Sequence, residues 1–100
     1  MEIYTLGRWT VLPGKEDEFV ATWRELGEFF MSLEHPPPAG SGVLVRSLDD
    51  PSLFYSFGPW DDPAHVAEMR AHPDSAAHIG RLTALCSEAV PGGYEVVARA

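Results

Sequence analysis

The chain has 100 residues, 45% of them hydrophobic and 11% aromatic, with a formal net charge of −8. That length supports one hydrophobic core, because a domain of this size buries roughly 65% of the surface its unfolded chain exposes and a second domain would be left without a core of its own. The apolar content excludes disorder as a description of the whole chain, and the excess of 15 acidic over 7 basic residues argues against nucleic acid or an anionic membrane as partner, since both require a basic face.

The start, Met1-Glu2-Ile3-Tyr4, carries no basic segment followed by an apolar one, and no apolar run approaches the ~20 residues of a membrane span. A cytoplasmic protein with a single domain over 1–100 is expected. Cys86 stands alone, which leaves no partner for an intrachain disulfide and no thiolate metal cluster.

Glu2 to Leu12, with Tyr4, Thr5, Trp9, Thr10 and Val11, predicts a strand ended by Pro13-Gly14. Apolar residues then fall at Phe19, Trp23, Leu26, Phe30 and Leu33, with Val20 and Phe29 widening the stripe, which is helical spacing. Glu16, Asp17 and Glu18 occupy the first turn, where they complement the positive end of the helix dipole. Pro36-Pro37-Pro38 forbids continuation, and Glu34 to Ser41 reads as a connecting loop.

Val43 to Leu48 and Leu53 to Phe57 flank the turn-forming Asp49-Asp50-Pro51-Ser52 and predict an antiparallel hairpin, its second strand ended by Gly58-Pro59. Trp60-Asp61-Asp62-Pro63 supplies a helix start, with Asp61 or Asp62 as cap and Pro63 at the first helical position. Ala64 to Ala71 is then a short helix that stops at His72-Pro73, because a residue before proline is pushed out of the α region. Asp74 or Ser75 is expected to cap a further helix whose apolar side is Ile79, Leu82, Leu85, Cys86 and Ala89. Pro91-Gly92-Gly93 closes it, and Tyr94 to Ala98 is the expected last strand.

This βαββαβ order predicts an α+β, ferredoxin-like fold, a four-stranded antiparallel sheet with its helices on one face. Strands of a half-solvated sheet alternate apolar and polar residues, but Val43-Leu44-Val45, Leu53-Phe54-Tyr55 and Tyr94 with Val96-Val97 do not. The second face is therefore expected to be covered by another copy of the chain, sheet on sheet, burying on the order of 1,600 Å² or more in a homodimer.

Arg8-Trp9-Thr10-Val11-Leu12-Pro13-Gly14-Lys15-Glu16-Asp17-Glu18-Phe19 resembles the first strand and helix start of the antibiotic biosynthesis monooxygenase family of dimeric α+β barrels. Phe54-Tyr55-Ser56-Phe57-Gly58-Pro59-Trp60-Asp61-Asp62 is similar to that family's aromatic third strand, which ends in Trp before an acidic helix cap. The resemblance spans nearly the whole chain. It implies oxygenation of a small aromatic or polyketide-like metabolite with no flavin, haem, metal or other cofactor; a non-catalytic dimeric ligand-binding or accessory protein of the same fold is the alternative. The family's first-strand Asn falls at Gly7, and the Trp that its haem-degrading branch carries in the second helix falls near Met69, so haem degradation is not expected.

Oxygenation of that kind needs a dry pocket, a base for a phenolic or enolic substrate, and donors that hold the resulting anion. Arg46, Tyr55 and His72 are the candidate catalytic residues, with Arg8 as a further anion partner and His78 as a further base. Trp9, Trp23, Trp60 and Phe30 are the candidate walls of a substrate pocket. Each also has a structural reading: Trp23 at helical spacing with Phe19 and Phe30 suits a core, Trp60 a packing plug, Arg46 a salt bridge across a dimer, and His72 a helix terminator. His35, ahead of three prolines, is expected to be exposed. His65, His72 and His78 lie close in sequence to Asp61, Asp62 and Glu68, but no HExxH or CxxC pattern is present, so these read as a solvated helix face and no metal is expected.

Overall fold

Strand β1 (Ile3–Val11) is the hub of the computed structural model, which describes residues 1–100. It pairs antiparallel with β3 (Leu53–Trp60) on one side and β4 (Cys86–Glu95) on the other, and β2 (Val43–Arg46) completes the sheet in the order β2-β3-β1-β4. Helix α1 (Glu16–Phe30) joins β1 to β2, while α2 (Pro63–Ala71) and α3 (Pro73–Ala84) join β3 to β4. This is the ferredoxin-like arrangement read from the sequence, with the second helix divided in two at His72-Pro73.

The loop into α1 turns at Gly14, whose φ of 84° lies in the left-handed region that disfavours a side chain. Glu16 then reaches back to accept from the Gly14 N–H at 2.9 Å, which ties the turn to the start of α1, while Lys15 at the N-cap makes no side-chain cap bond. The expected stripe packs as read: Phe19 is fully buried against Trp9 and Phe54, with ring centroids 5.7 and 5.3 Å away, and Leu26 is buried one turn pair further on. Burying a side chain of Phe19's size contributes roughly 1.5–3 kcal/mol. The helix ends at Phe30 rather than Leu33.

Asp62 caps α2, accepting from the Ala64 N–H at 2.8 Å. The cap of α3 differs from the expectation. His72 Nδ1 accepts from the Asp74 N–H at 3.1 Å, and Ser75 is buried inside the first turn instead of capping it.

Two strand boundaries are also corrected. β3 continues through Gly58-Pro59 to Trp60, because β2 pairs only with Phe54–Phe57 and the missing N–H of Pro59 leaves no ladder partner unsatisfied on that side. The apolar pattern Leu85, Cys86, Ala89 was expected to extend the last helix, yet the chain leaves the helix at Leu85 and β4 runs from Cys86 through Pro91-Gly92-Gly93. β4 is an edge strand, where a proline is tolerated, and nearly the full length of β1 is available to pair with it.

The register divides the strand residues cleanly. Ile3, Thr5, Gly7, Trp9 and Val11 face the helices, together with Phe54, Ser56, Gly58 and Trp60 opposite them. Tyr4, Leu6, Arg8, Tyr55, Phe57, Val90 and Tyr94 point to the other side, which no element covers.

Candidate functional site

On the helix face, the alternate rows of the β1–β3 ladder are Ile3 opposite Trp60, Thr5 opposite Gly58, Gly7 opposite Ser56 and Trp9 opposite Phe54. Each tryptophan leans diagonally to the neighbouring strand: Trp9 Nε1 donates to Ser56 Oγ at 2.9 Å, and Trp60 Nε1 donates to Thr5 Oγ1 at 3.0 Å. Two indoles thus bracket two hydroxyls, and each hydroxyl accepts from an indole while its own proton remains free to donate. Gly7 is required here, because a Cβ on it would stand 2.5 Å from the Trp9 ring. A larger side chain has no room at this position, because the Trp9 indole fills the space.

Between this floor and the helices runs a cleft in two compartments that share Thr5, Leu26, Phe30 and Ser56. One, of about 370 Å³, lies under α1 and the 34–42 segment, with Trp23, Phe30 and Trp60 as walls and Pro37, Pro38 and Gly42 along its rim. The other, of about 540 Å³, lies toward α3 and β4, between Trp9, Met69, Ile79 and the Pro91-Gly92-Gly93 run. The chain's three tryptophans and Phe30 line the cleft.

Charge enters the cleft through Arg70. It stands in the last turn of α2 and lays its guanidinium toward β4, where a Cβ on Gly93 would be 3.2 Å from Nη2. No carboxylate lies within salt-bridge distance of it, unlike Arg8, Arg81 and Arg99. Arg24 and Glu28 stand on the α1 side, and no histidine lines either compartment.

The candidate catalytic residues are not brought together. Tyr55 lies on the opposite, uncovered face of the sheet. Arg46 faces the helix side at the sheet edge, where its guanidinium carbon sits 4.8 Å from the centre of the Phe54 ring in a shallow depression with Val20 and Trp23. His72 spends Nδ1 on the α3 cap and rests edge-on against Phe29, 5.3 Å between ring centres. His78 stacks on the same Phe29 at 4.8 Å, and Arg8 pairs with Glu88 at 3.0 Å on the uncovered face. Burial pushes the Cys86 thiol up, and its Sγ is directed at the Leu82 carbonyl, so it stays a thiol and takes no part in the cleft.

Thr5, Ser56 and Arg70 were not singled out in the sequence. The signal for Thr5 and Ser56 was period-two spacing: both share strand parity with a tryptophan on the helix face. Arg70 gave none, since its approach to Gly93 depends on where α2 docks.

No family model and no curated protein matches the chain. Solved structures do. A variant of SnoaB from Streptomyces nogalater, described as a cofactor-independent oxygenase, superposes with a TM-score of 0.83 at 22% identity, covering 98% of this chain and 95% of that one. The chain shares the fold of that oxygenase. A protein described as an antibiotic biosynthesis monooxygenase gives a TM-score of 0.74 at 18% identity, over 96% of this chain and 99% of its own. A conserved protein from Methanosarcina mazei Go1 gives 0.78 at 17% identity over 94% and 91%. The resemblance read from the two sequence motifs thus agrees with the fold. No helix is long and apolar enough to cross a membrane.

Proposed function

We propose that the cleft binds a flat, hydroxylated aromatic or polyketide-like metabolite and oxygenates it without a cofactor. The observation that carries this reading is the floor of the cleft, two indole-bound hydroxyls between aromatic walls with an unpaired guanidinium beside them. Aromatic walls suit a planar ring system, and Thr5 and Ser56 can donate to its oxygens. Arg70 stabilises the phenolate or enolate formed when the substrate loses a proton, for which Glu28 at the mouth is the available carboxylate acceptor. The electron-rich carbon then reduces dioxygen and forms a C–O bond. Loss of water from the resulting hydroperoxide leaves a carbonyl at that carbon, so dioxygen supplies the oxygen atom and the substrate supplies the electrons. The likeness to SnoaB supports this choice of chemistry.

Two copies of the chain would meet through the uncovered sheet face. Val43, Val45, Tyr55, Phe57, Val90 and Tyr94 are 37–52% exposed there, a contiguous apolar surface of the kind that marks a protein interface.

The absence of a histidine from the cleft favours a second reading, a dimeric ligand-binding or accessory protein of the same fold. Oxygen uptake separates the two. Consumption with an anthrone or quinol, falling about 10-fold or more in Arg70→Ala, supports the oxygenase. A loss in His72→Ala with Arg70→Ala unaffected returns the chemistry to the histidine. Saturable binding without oxygen use favours the accessory protein, and neither binding nor turnover removes both.

A further inference from the structure

A second cluster of chemically competent groups lies outside the cleft, where the segment that forms its rim leaves α1. Glu34 and His35 open that segment, and His65 and Glu68 stand three residues apart on one face of α2. His35 Nδ1 is 2.9 Å from Glu68 Oε2, and the His35 ring stacks on His65 with centroids 4.4 Å apart and planes within 5°. One donor atom each from Glu34, His35 and Glu68 lies within 4.8 Å of the other two. A tetrahedral zinc ion with bonds of ~2.1 Å holds its donors about 3.4 Å apart. All three side chains are exposed, so rotation about their own torsions closes the difference without moving the backbone.

We propose that Glu34, His35 and Glu68 form a binding site for a zinc-class divalent cation that clips the rim of the cleft to α2. One imidazole and two carboxylates make a donor set of intermediate softness, which suits zinc better than magnesium or calcium, ions that prefer all-oxygen shells. Two carboxylates against one neutral imidazole also leave the site negative, and Asp62 adds to that field. His65 is a positioning residue: its stacked ring holds the His35 imidazole over α2.

The mechanical consequence follows from how sparsely the segment is tied. Its only hydrogen bond to another element beyond the last turn of α1 is the His35–Glu68 contact. An ion at that point replaces a solvent-exposed hydrogen bond by coordination bonds, and Pro37, Pro38 and Gly40 further along the same segment line the cleft. The site stands independently of what the cleft binds.

Equilibrium dialysis of the untagged chain against zinc chloride near neutral pH tests it. One saturable ion per chain is expected, with no such binding of magnesium. His35→Ala and Glu68→Gln each weaken zinc binding about 10-fold or more, His78→Ala leaves it unchanged, and circular dichroism confirms that these exposed variants fold. Zinc also slows hydrogen exchange at the amides of Ala39 to Gly42 in the parent chain and not in His35→Ala. Absence of saturable zinc, or equal binding by the variants, overturns the site; binding without slower exchange overturns the clip.

Discussion

The two faces of the sheet are made by alternate residues of the same strands, yet they have opposite characters. On the helix side, Trp9, Phe54 and Trp60 are buried and every indole N–H of the floor is satisfied by a hydroxyl on the neighbouring strand. On the other side, the equally apolar Val45, Tyr55, Val90 and Tyr94 stand in water, with the Arg8–Glu88 ion pair among them. The helix face therefore has a specified interior with donors aimed into a cavity, and the open face has area without internal partners. That contrast underlies the proposal of ligand chemistry on the first and association on the second.

The largest effect separating the faces is thermodynamic. Phe19→Ala, in the core between Trp9 and Phe54, is expected to destabilise the chain by about 3–5 kcal/mol in chemical denaturation, through lost burial and the cavity left behind. Val45→Asp on the open face should leave the fold intact and weaken self-association by ~100-fold, because a charge buried without a partner opposes sheet-on-sheet packing. Analytical ultracentrifugation reads this as a dimer becoming a monomer. A parent chain that is monomeric at micromolar concentration would remove association from the open face. Ser56→Ala strips the acceptor from the Trp9 indole and should cost about 1–3 kcal/mol, more than Ser87→Ala, whose hydroxyl is exposed.

The smallest effect concerns the rim. The hydrogen bond to Glu68 raises the pKa of His35 above the usual ~6.5. A raised folded-state pKa means that the contribution of the pair to stability is fully present below ~6.5 and is lost as pH rises through the higher, folded value. The His35 imidazole resonance should titrate above 6.5 in the parent chain and return toward it in Glu68→Gln; an unmoved midpoint would break the tie between segment and helix.

Much of this architecture could be read from residues whose local and tertiary preferences agree. The α1 stripe from Phe19 to Phe30, the hairpin around Asp49–Ser52, the Asp62 cap and the His72-Pro73 break are all cases where side-chain chemistry acts within a few residues. Cys86 and Ala89 were misassigned because they continue a helical apolar spacing, and pairing with β1, more than seventy residues away, overrides it. For the site, aromatic composition is what points to Trp9, Trp23, Trp60 and Phe30 as walls. Arg46, Tyr55 and His72 did not converge because residue type says nothing about which sheet face a strand residue takes or whether an imidazole is committed to a cap. Arg70 was illegible for the complementary reason, as its place is fixed only when α2 packs against β4.

The central claim is that the helix-face cleft is the binding site, and intrinsic fluorescence tests it most directly because Trp9, Trp23 and Trp60, the only tryptophans in the chain, all line it. Titration with a hydroxylated anthrone should give saturable quenching that is weakened in Arg70→Ala and Ser56→Ala and unchanged in Val90→Ala on the open face. Quenching that fails to saturate, or that is lost in Val90→Ala while both cleft variants bind normally, would contradict the account.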